Sequence, residues 1–292
     1  MDNNVAIRPV SDGLNKKKVN KIIANVLLFI LMAAITVMIL YPLLFVLTTS
    51  FKTYGEFLSS PFSISFMHPE NYAKAWTDGH FSRYFFNSVL VSALTVASKV
   101  LMSSLVAFAI AVLEFKGNKI ITVIVISTMF FTGEVTAIPQ FIMIRELNCL
   151  NSLWALIIPG VFSPAGLGVI LGVSYVKKIP NELHEAAMIE GANFWEMFLK
   201  IDFRLMTPMM ALVAVQTFTG IWSDFFWPLI TITNNDAAKT LPLGLINFQS
   251  QNNSEYGVLC AGLCILTAPI IVLYSFLSKY FIEGVAAGAV KG

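Results

Sequence analysis

From Ile22 to Thr48 the chain reads IIANVLLFILMAAITVMILYPLLFVLT, a run without one charged side chain. A helix rises ~1.5 Å per residue, and about 20 mainly apolar residues cross the ~30 Å hydrocarbon core of a bilayer, so this run is long enough to span it. It is too long for the apolar segment of a cleaved signal peptide, and no small-residue cleavage site follows. It reads as a retained membrane helix.

Working outward, five further stretches meet the same test: Tyr84 to Leu113, Ile120 to Ile144, Leu150 to Val176, Leu205 to Thr233 and Gly257 to Ser278. The third is interrupted by Glu134 and Pro139, and its membrane part is expected to end near Ile138. Composition agrees with lipid as the main solvent. Of 292 residues 57% are hydrophobic and 12% charged, against roughly 25% charged in a soluble domain. A net charge of +2 gives no basic surface for nucleic acid, and 24 Phe with 5 Trp argue against disorder. Cys149, Cys260 and Cys264 fit neither a disulfide framework nor a zinc site, and Cys260 and Cys264, one helical turn apart in an apolar run, read as small packing residues.

The basic residues orient the spans. With the N-terminus inside, Arg8, Lys16, Lys17, Lys18, Lys21, Lys116, Lys119, Lys177, Lys178, Lys200, Arg204, Lys279 and Lys291 lie on the inner side. Only Lys52, Lys74, Arg83, Arg145 and Lys239 lie outside, and Lys99 falls within a span. The expected organisation is a cytoplasmic tail over 1–21, a membrane domain over 22–292, both termini inside, and a large inner loop over 177–204. The first outer loop, with Trp76, Phe81 and Tyr84, is a candidate docking surface for an external partner, and an aromatic interfacial rim explains the same residues.

Catalysis has little support. His68 and His80 fall in the first outer loop and His184 in the inner loop, so no span carries an imidazole for a Ser-His pair or a metal. Gly-Lys is absent from the chain, which excludes a phosphate-cradling P-loop. An enzyme is therefore not expected, nor a metal site. Ionisable groups within spans mark pathways for solutes. Lys99, Glu134 and Asp224 are the candidates, with Trp222 and Trp227 flanking Asp224 as aromatic faces suited to a sugar; snorkelling and an interfacial aromatic belt explain the same residues. Gly168 and Gly172 make a small-xxx-small step suited to close helix packing.

The inner loop reads IPNELHEAAMIEGANFWEMFLKIDFRLMTP from Ile179 to Pro208. Pro180 or Asn181 opens a helix, Gly191 takes the left-handed conformation that ends it, and Asn193 with Glu196 makes a capping box for the next. Leu183, Ala187 and Glu190 share one face of the first helix; Glu182, Glu185, Ala186 and Ile189 share the adjacent one. Such a helix, with small residues for close approach and Glu185 as a charged anchor, suits a groove on a cytoplasmic partner; a solvated connector lying on the membrane explains the Trp195 and Phe198 side equally but not the small-residue face.

Glu185-Ala186-Ala187, then Gly191, then Ile201 resembles the EAA signature of ABC importer membrane subunits, and the surrounding Ile-Pro-x-Glu-Leu-x-Glu-Ala-Ala-x-Ile-x-Gly-Ala resembles the carbohydrate, maltose-transporter-type branch. Similar matches run from Tyr41 to the C-terminus, among them Trp222-Ser223-Asp224-Phe225-Phe226-Trp227-Pro228 and the closing Gly288-Ala289-Val290-Lys291-Gly292. Glu190 stands where Asp is usual, and Phe203-Arg204 replaces the usual Leu-Pro, leaving Pro208 to start the fifth span. The resemblance implies an all-α, polytopic, six-helix type I ABC importer permease fold in a bacterial inner membrane. It implies a second homologous permease subunit, two cytoplasmic ATPases that use ATP and Mg, and an extracellular sugar-binding protein. It further implies that Glu182, Glu185, Ala186, Ala187, Ile189, Glu190 and Gly191 couple the chain to the ATPases. The alternative is a stand-alone secondary transporter or channel relaying ions through Lys99, Glu134 and Asp224.

Overall fold

The computed structural model describes residues 11–77, 80–113, 115–131, 133–248 and 255–289, with side chains between 20 and 276. The tail before Ser11 and the closing Val290 to Gly292 of the family-like stretch lie outside these residues. Among the described residues every regular element is helical. In order they are α1 (Ser11–Thr49), α2 (Tyr54–Ser59), α3 (Glu70–Thr77), α4 (Phe81–Val112), α5 (Asn118–Thr128), α6 (Gly133–Glu146), α7 (Trp154–Val161) and α8 (Gly166–Val176). There follow α9 (Asn181–Ile189), α10 (Phe194–Met197), a π-turn (Phe198–Asp202), α11 (Phe203–Leu205), α12 (Thr207–Trp222), α13 (Phe226–Thr231), α14 (Leu241–Gly244) and α15 (Tyr256–Ala289).

Among the described residues four stretches are long and apolar enough to cross a membrane: Asn20–Thr49, Phe81–Val112, Trp154–Val176 and Tyr256–Phe276. A fifth is reached if α5 and α6, which meet at 102°, count as one. The third expected span is thus no straight helix: of its two expected interruptions, the bend falls beside Glu134, before Gly133, and Pro139 stays inside α6. The fifth expected span, Leu205 to Thr233, becomes the 16-residue α12 and the six-residue α13. At ~1.5 Å per residue α12 alone falls short of a ~30 Å core.

Helix α4 is the centre of the bundle, with α7, α8 and α12 packed on it, and α15 packs on α12 and α1. The glycine step on α8 explains the close approach. A Cβ on Gly172 would stand 2.6 Å from Ala107 Cβ of α4 and 2.7 Å from Met209 Cε of α12, and one on Gly168 would strike Val213. Small residues let helices approach where lipid supplies no hydrophobic drive between them. Around this contact Ala107, Phe108, Val176, Met197, Phe198, Met206, Met209 and Val213 form a buried cluster. Toward the opposite end Phe81, Tyr84, Trp222, Leu241, Val258 and Ala261 form a second.

That second cluster corrects one expectation. Phe81 and Tyr84 are buried and do not present a docking surface; Trp76 stays partly exposed. Gly262 and Gly244 make room for the two rings, which pack so close that a Cβ at either glycine would clash with them. The Tyr84 hydroxyl also donates to Asp236 Oδ2 at 2.7 Å. By contrast α1 stands at the edge of the bundle, with its side chains from Asn20 to Leu44 exposed, as a helix apolar all round does when lipid or another helix covers it.

Candidate functional site: a cavity at three helix breaks and an exposed loop helix

Three interruptions of the bundle open on one cavity of about 450 Å³. Thr128, Met129, Phe131, Gly133 and Glu134 come from the bend between α5 and α6; Ser163, Pro164, Ala165 and Gly166 from the break between α7 and α8; Asp224, Phe226, Trp227 and Pro228 from the break between α12 and α13. Lys99, Gln140 and Thr136 also line it, and a neighbouring cavity shares Lys99, Met129 and Phe131. Backbone that leaves the helix within hydrocarbon strands polar groups that lipid cannot satisfy, so such breaks occur where protein or a water-filled space takes them. All three breaks face this one space inside the bundle.

Side chains of α4 brace one break. Ser98 Oγ donates to the Val161 carbonyl on one side of it, and Ser103 Oγ accepts from the Ala165 N–H at 2.8 Å on the other. One freed carbonyl and one freed N–H are thereby satisfied, and Lys99 lies between the two serines in sequence. At the third break Asp224 Oδ1 accepts from the Trp227 N–H at 3.2 Å, in the first turn of α13, and the Trp227 indole donates to the Ala155 carbonyl of α7 at 3.0 Å. Beyond it Asn151, in the left-handed region at φ 58°, offers Oδ1 to the N–H groups of Thr233 and Asn234, each at 2.8 Å.

Of the expected pathway residues, Lys99, Glu134, Asp224 and Trp227 therefore share one cavity. Trp222 does not join them. It is buried, stacked on Phe218, and its indole donates to the Leu266 carbonyl of α15 at 2.8 Å. Its role is to join α12 to α15.

The loop after α8 follows its expected punctuation. Gly191 ends α9 at φ 84°, and Asn193 and Glu196 form the reciprocal capping box at 2.9 and 3.1 Å that starts α10. The Asn193 N–H holds the Glu196 carboxyl below its ordinary value. Pro208 stands in the first turn of α12, as its fixed φ favours. Glu182, Glu185, Ala186, Ile189, Glu190 and Gly191 are exposed, Ile189 at 87%. Ala187 instead turns inward, half-buried against the first cluster.

Beneath α9 lies a contact the sequence reading missed. His184 is the one buried residue of α9, and its Nε2 stands 3.1 Å from both carboxylate oxygens of Asp202. Burial raises the Asp202 carboxyl above its ordinary value, opposed by the His184 hydrogen bond. A His and an Asp in an otherwise apolar loop face were the available signal.

The family described as binding-protein-dependent transport system inner membrane component matches residues 13–286. The chain belongs to that family. It is 35% identical over 268 residues to a probable ABC transporter permease protein, YurM, of Bacillus subtilis, covering 91% of this chain and 87% of that one. It is 32% identical to the arabinooligosaccharides transport system permease protein AraQ of Halalkalibacterium halodurans, over 95% of this chain and all of that one. Its fold is similar to a chain of a bacterial ABC transporter involved in the import of the acidic polysaccharide alginate, with TM-score 0.74 and 21% identity over 95% of this chain and 100% of that one. As a member of this family the chain is an ABC-importer permease component of the inner membrane, with its apolar helices in the bilayer.

Proposed function

We propose that this permease conducts a sugar or oligosaccharide, delivered by an external binding protein, through the cavity at the three helix breaks, driven by two partner ATPases that bind α9. The single observation that carries the pathway is the convergence of those breaks, with Lys99, Glu134, Asp224 and Trp227, on one space. Carboxylates, an ammonium and an aromatic face together suit polyhydroxylated solutes, whose hydroxyls both donate and accept while their C–H faces stack on aromatic rings. The name of the arabinooligosaccharide relative supports the same substrate class.

On this reading six spans cross the membrane, with α5 and α6 as a bent third and α12 and α13 as a broken fifth. The basic residues of the loops favour both termini and α9 in the cytoplasm. Residues 1–21 form the inner tail, although α1 already begins at Ser11. The exposed Glu182, Glu185, Ala186 and Ile189 face supplies a charged anchor, a small-residue step and an apolar knob for an ATPase groove. Glu190 and Gly191 close that helix, and Ala187 packs it against the bundle. ATP and Mg are used by the ATPases, and this chain is a conduit without catalysis of its own. A second, homologous permease covers the side of the path that one chain leaves open, and the bare α1 is suited to lipid or to that partner.

Purification from native membrane in mild detergent tests the assembly. Two ATPase copies, a second permease and the present chain in one species are expected. A lone chain that transports down an ion gradient would instead support a secondary transporter relaying ions through Lys99, Glu134 and Asp224.

A further inference from the structure

The exposed face of α9 can receive a push from a partner, but a push is useful only if something rigid carries it to the membrane. Helix α9 has little else to carry it. Most of its side chains are exposed, Ala187 is half-buried against the first cluster, and His184 alone is buried. Its Nε2 sits between the two oxygens of Asp202, whose side chain is fully buried and which ends the π-turn leading into α11 and α12. The Asp202 carbonyl accepts from the Met206 N–H at 2.9 Å, so the chain runs from that residue straight into the start of α12. Helix α12 ends at Trp222, two residues before Asp224 at the cavity. A π-turn is itself uncommon and is often found at functional positions, because its wider ring lets a helix shift register.

We infer that His184 and Asp202 form a buried strut that transmits the movement of α9 to α12, and so to the cavity break at Asp224. This rests on the proposed coupling of α9 to the ATPases. Both residues are positioning residues, acting through each other and touching neither nucleotide nor solute. A strut of this kind predicts a specific failure. Removing it leaves the outward face of α9 and its ATPase contacts in place, while ATP is hydrolysed without matching transport.

The test uses the whole importer in proteoliposomes, comparing wild type with H184A, D202A, the double variant and H184Q, whose amide nitrogen takes the place of Nε2. The readouts are ATPase retention on purification and ATP hydrolysed per sugar imported. H184A and D202A are expected to retain the ATPases and raise that ratio roughly fivefold or more, the low end of usual coupling factors. The double variant is expected to be no worse than either single, since both remove one interaction, and H184Q to recover part of the loss. A wild-type ratio in H184A overturns the strut, as do additive effects of the two single variants. Loss of the ATPases from H184A with no recovery in H184Q also overturns it, because His184 would then serve docking or folding. If the wild-type importer itself shows no ATP-dependent uptake, the coupling reading fails and the strut falls with it; if wild type is coupled and H184A equally so, the strut alone falls.

Discussion

Asp224 Oδ1 accepts a hydrogen bond from the Trp227 N–H at 3.2 Å, so the carboxylate that lines the cavity also holds the first turn of the helix beyond the break. The two roles separate by substitution. Asp224→Asn keeps an oxygen acceptor and removes the charge, and should leave assembly and thermal stability unchanged while changing the uptake KM roughly tenfold, as loss of a hydrogen bond to a charged group does. Asp224→Ala should in addition cost about 1 kcal/mol of stability, the usual worth of such a helix-start contact. Uptake kinetics and melting in detergent check both, and wild-type kinetics in Asp224→Asn would remove the residue from the path.

The approach of α8 to α4 and α12 leaves no space for a side chain at Gly172. Gly172→Leu should destabilise the bundle by about 1–3 kcal/mol or more, the cost of overpacking a filled contact. The measurement is the melting temperature of the purified chain in detergent, which should fall; an unchanged value would mean that the helices are not so closely apposed.

In the first loop His68 Nδ1 lies 2.6 Å from Glu70 Oε1, and Nε2 lies 3.4 Å from Glu56 Oε2. The Glu70 hydrogen bond raises the imidazole above its ordinary 6.5. A histidine raised in this way contributes order that is fully present below its unfolded value and lost as pH rises through the folded one. Hydrogen exchange over residues 50–77, corrected for intrinsic rates, should therefore show greater protection at about pH 6 than at about pH 8.5. His68→Gln should abolish the difference, and persistence of the difference in that variant would assign it to another group.

Much of α9 was legible because its signals are local. Gly191 at a left-handed turn, Asn193 paired with Glu196, and Pro208 opening α12 each act within a few residues, where backbone sterics and capping decide the outcome. The helix breaks were legible only in part. Glu134 marked the third span as interrupted, and the chain does depart from the helix before Gly133, at Ser163 and Pro164, and at Ser223 to Phe225, while Pro139 stays inside α6. The break between α7 and α8 also engages partners distant in sequence, Ser98 for Val161 and Ser103 for Ala165. Phe81 and Tyr84 read as exposed aromatics for the same reason: the glycines that bury them, Gly262 and Gly244, lie far along the chain. The charged residues Lys99, Glu134 and Asp224 stood out because charge is rare in apolar spans, whereas Trp222 and Trp227 could not be told apart without the helices that receive their indoles.

Glu185 is exposed on the outward side of α9 and makes no part of the bundle's core. Glu185→Lys should thus leave insertion and yield unchanged, within about 0.5 kcal/mol of wild-type stability as exposed substitutions usually are. It should weaken ATPase retention on purification and abolish sugar-stimulated hydrolysis. Full retention with full stimulation would show that α9 is not the docking helix.

The most direct measurement is uptake of a labelled oligosaccharide into proteoliposomes holding the purified importer, with the binding protein outside and ATP inside or absent. Uptake should require both ATP and the binding protein, and should be lost when Glu185 is replaced by Lys. Uptake by this chain alone, driven by an ion gradient and indifferent to ATP, would contradict the account.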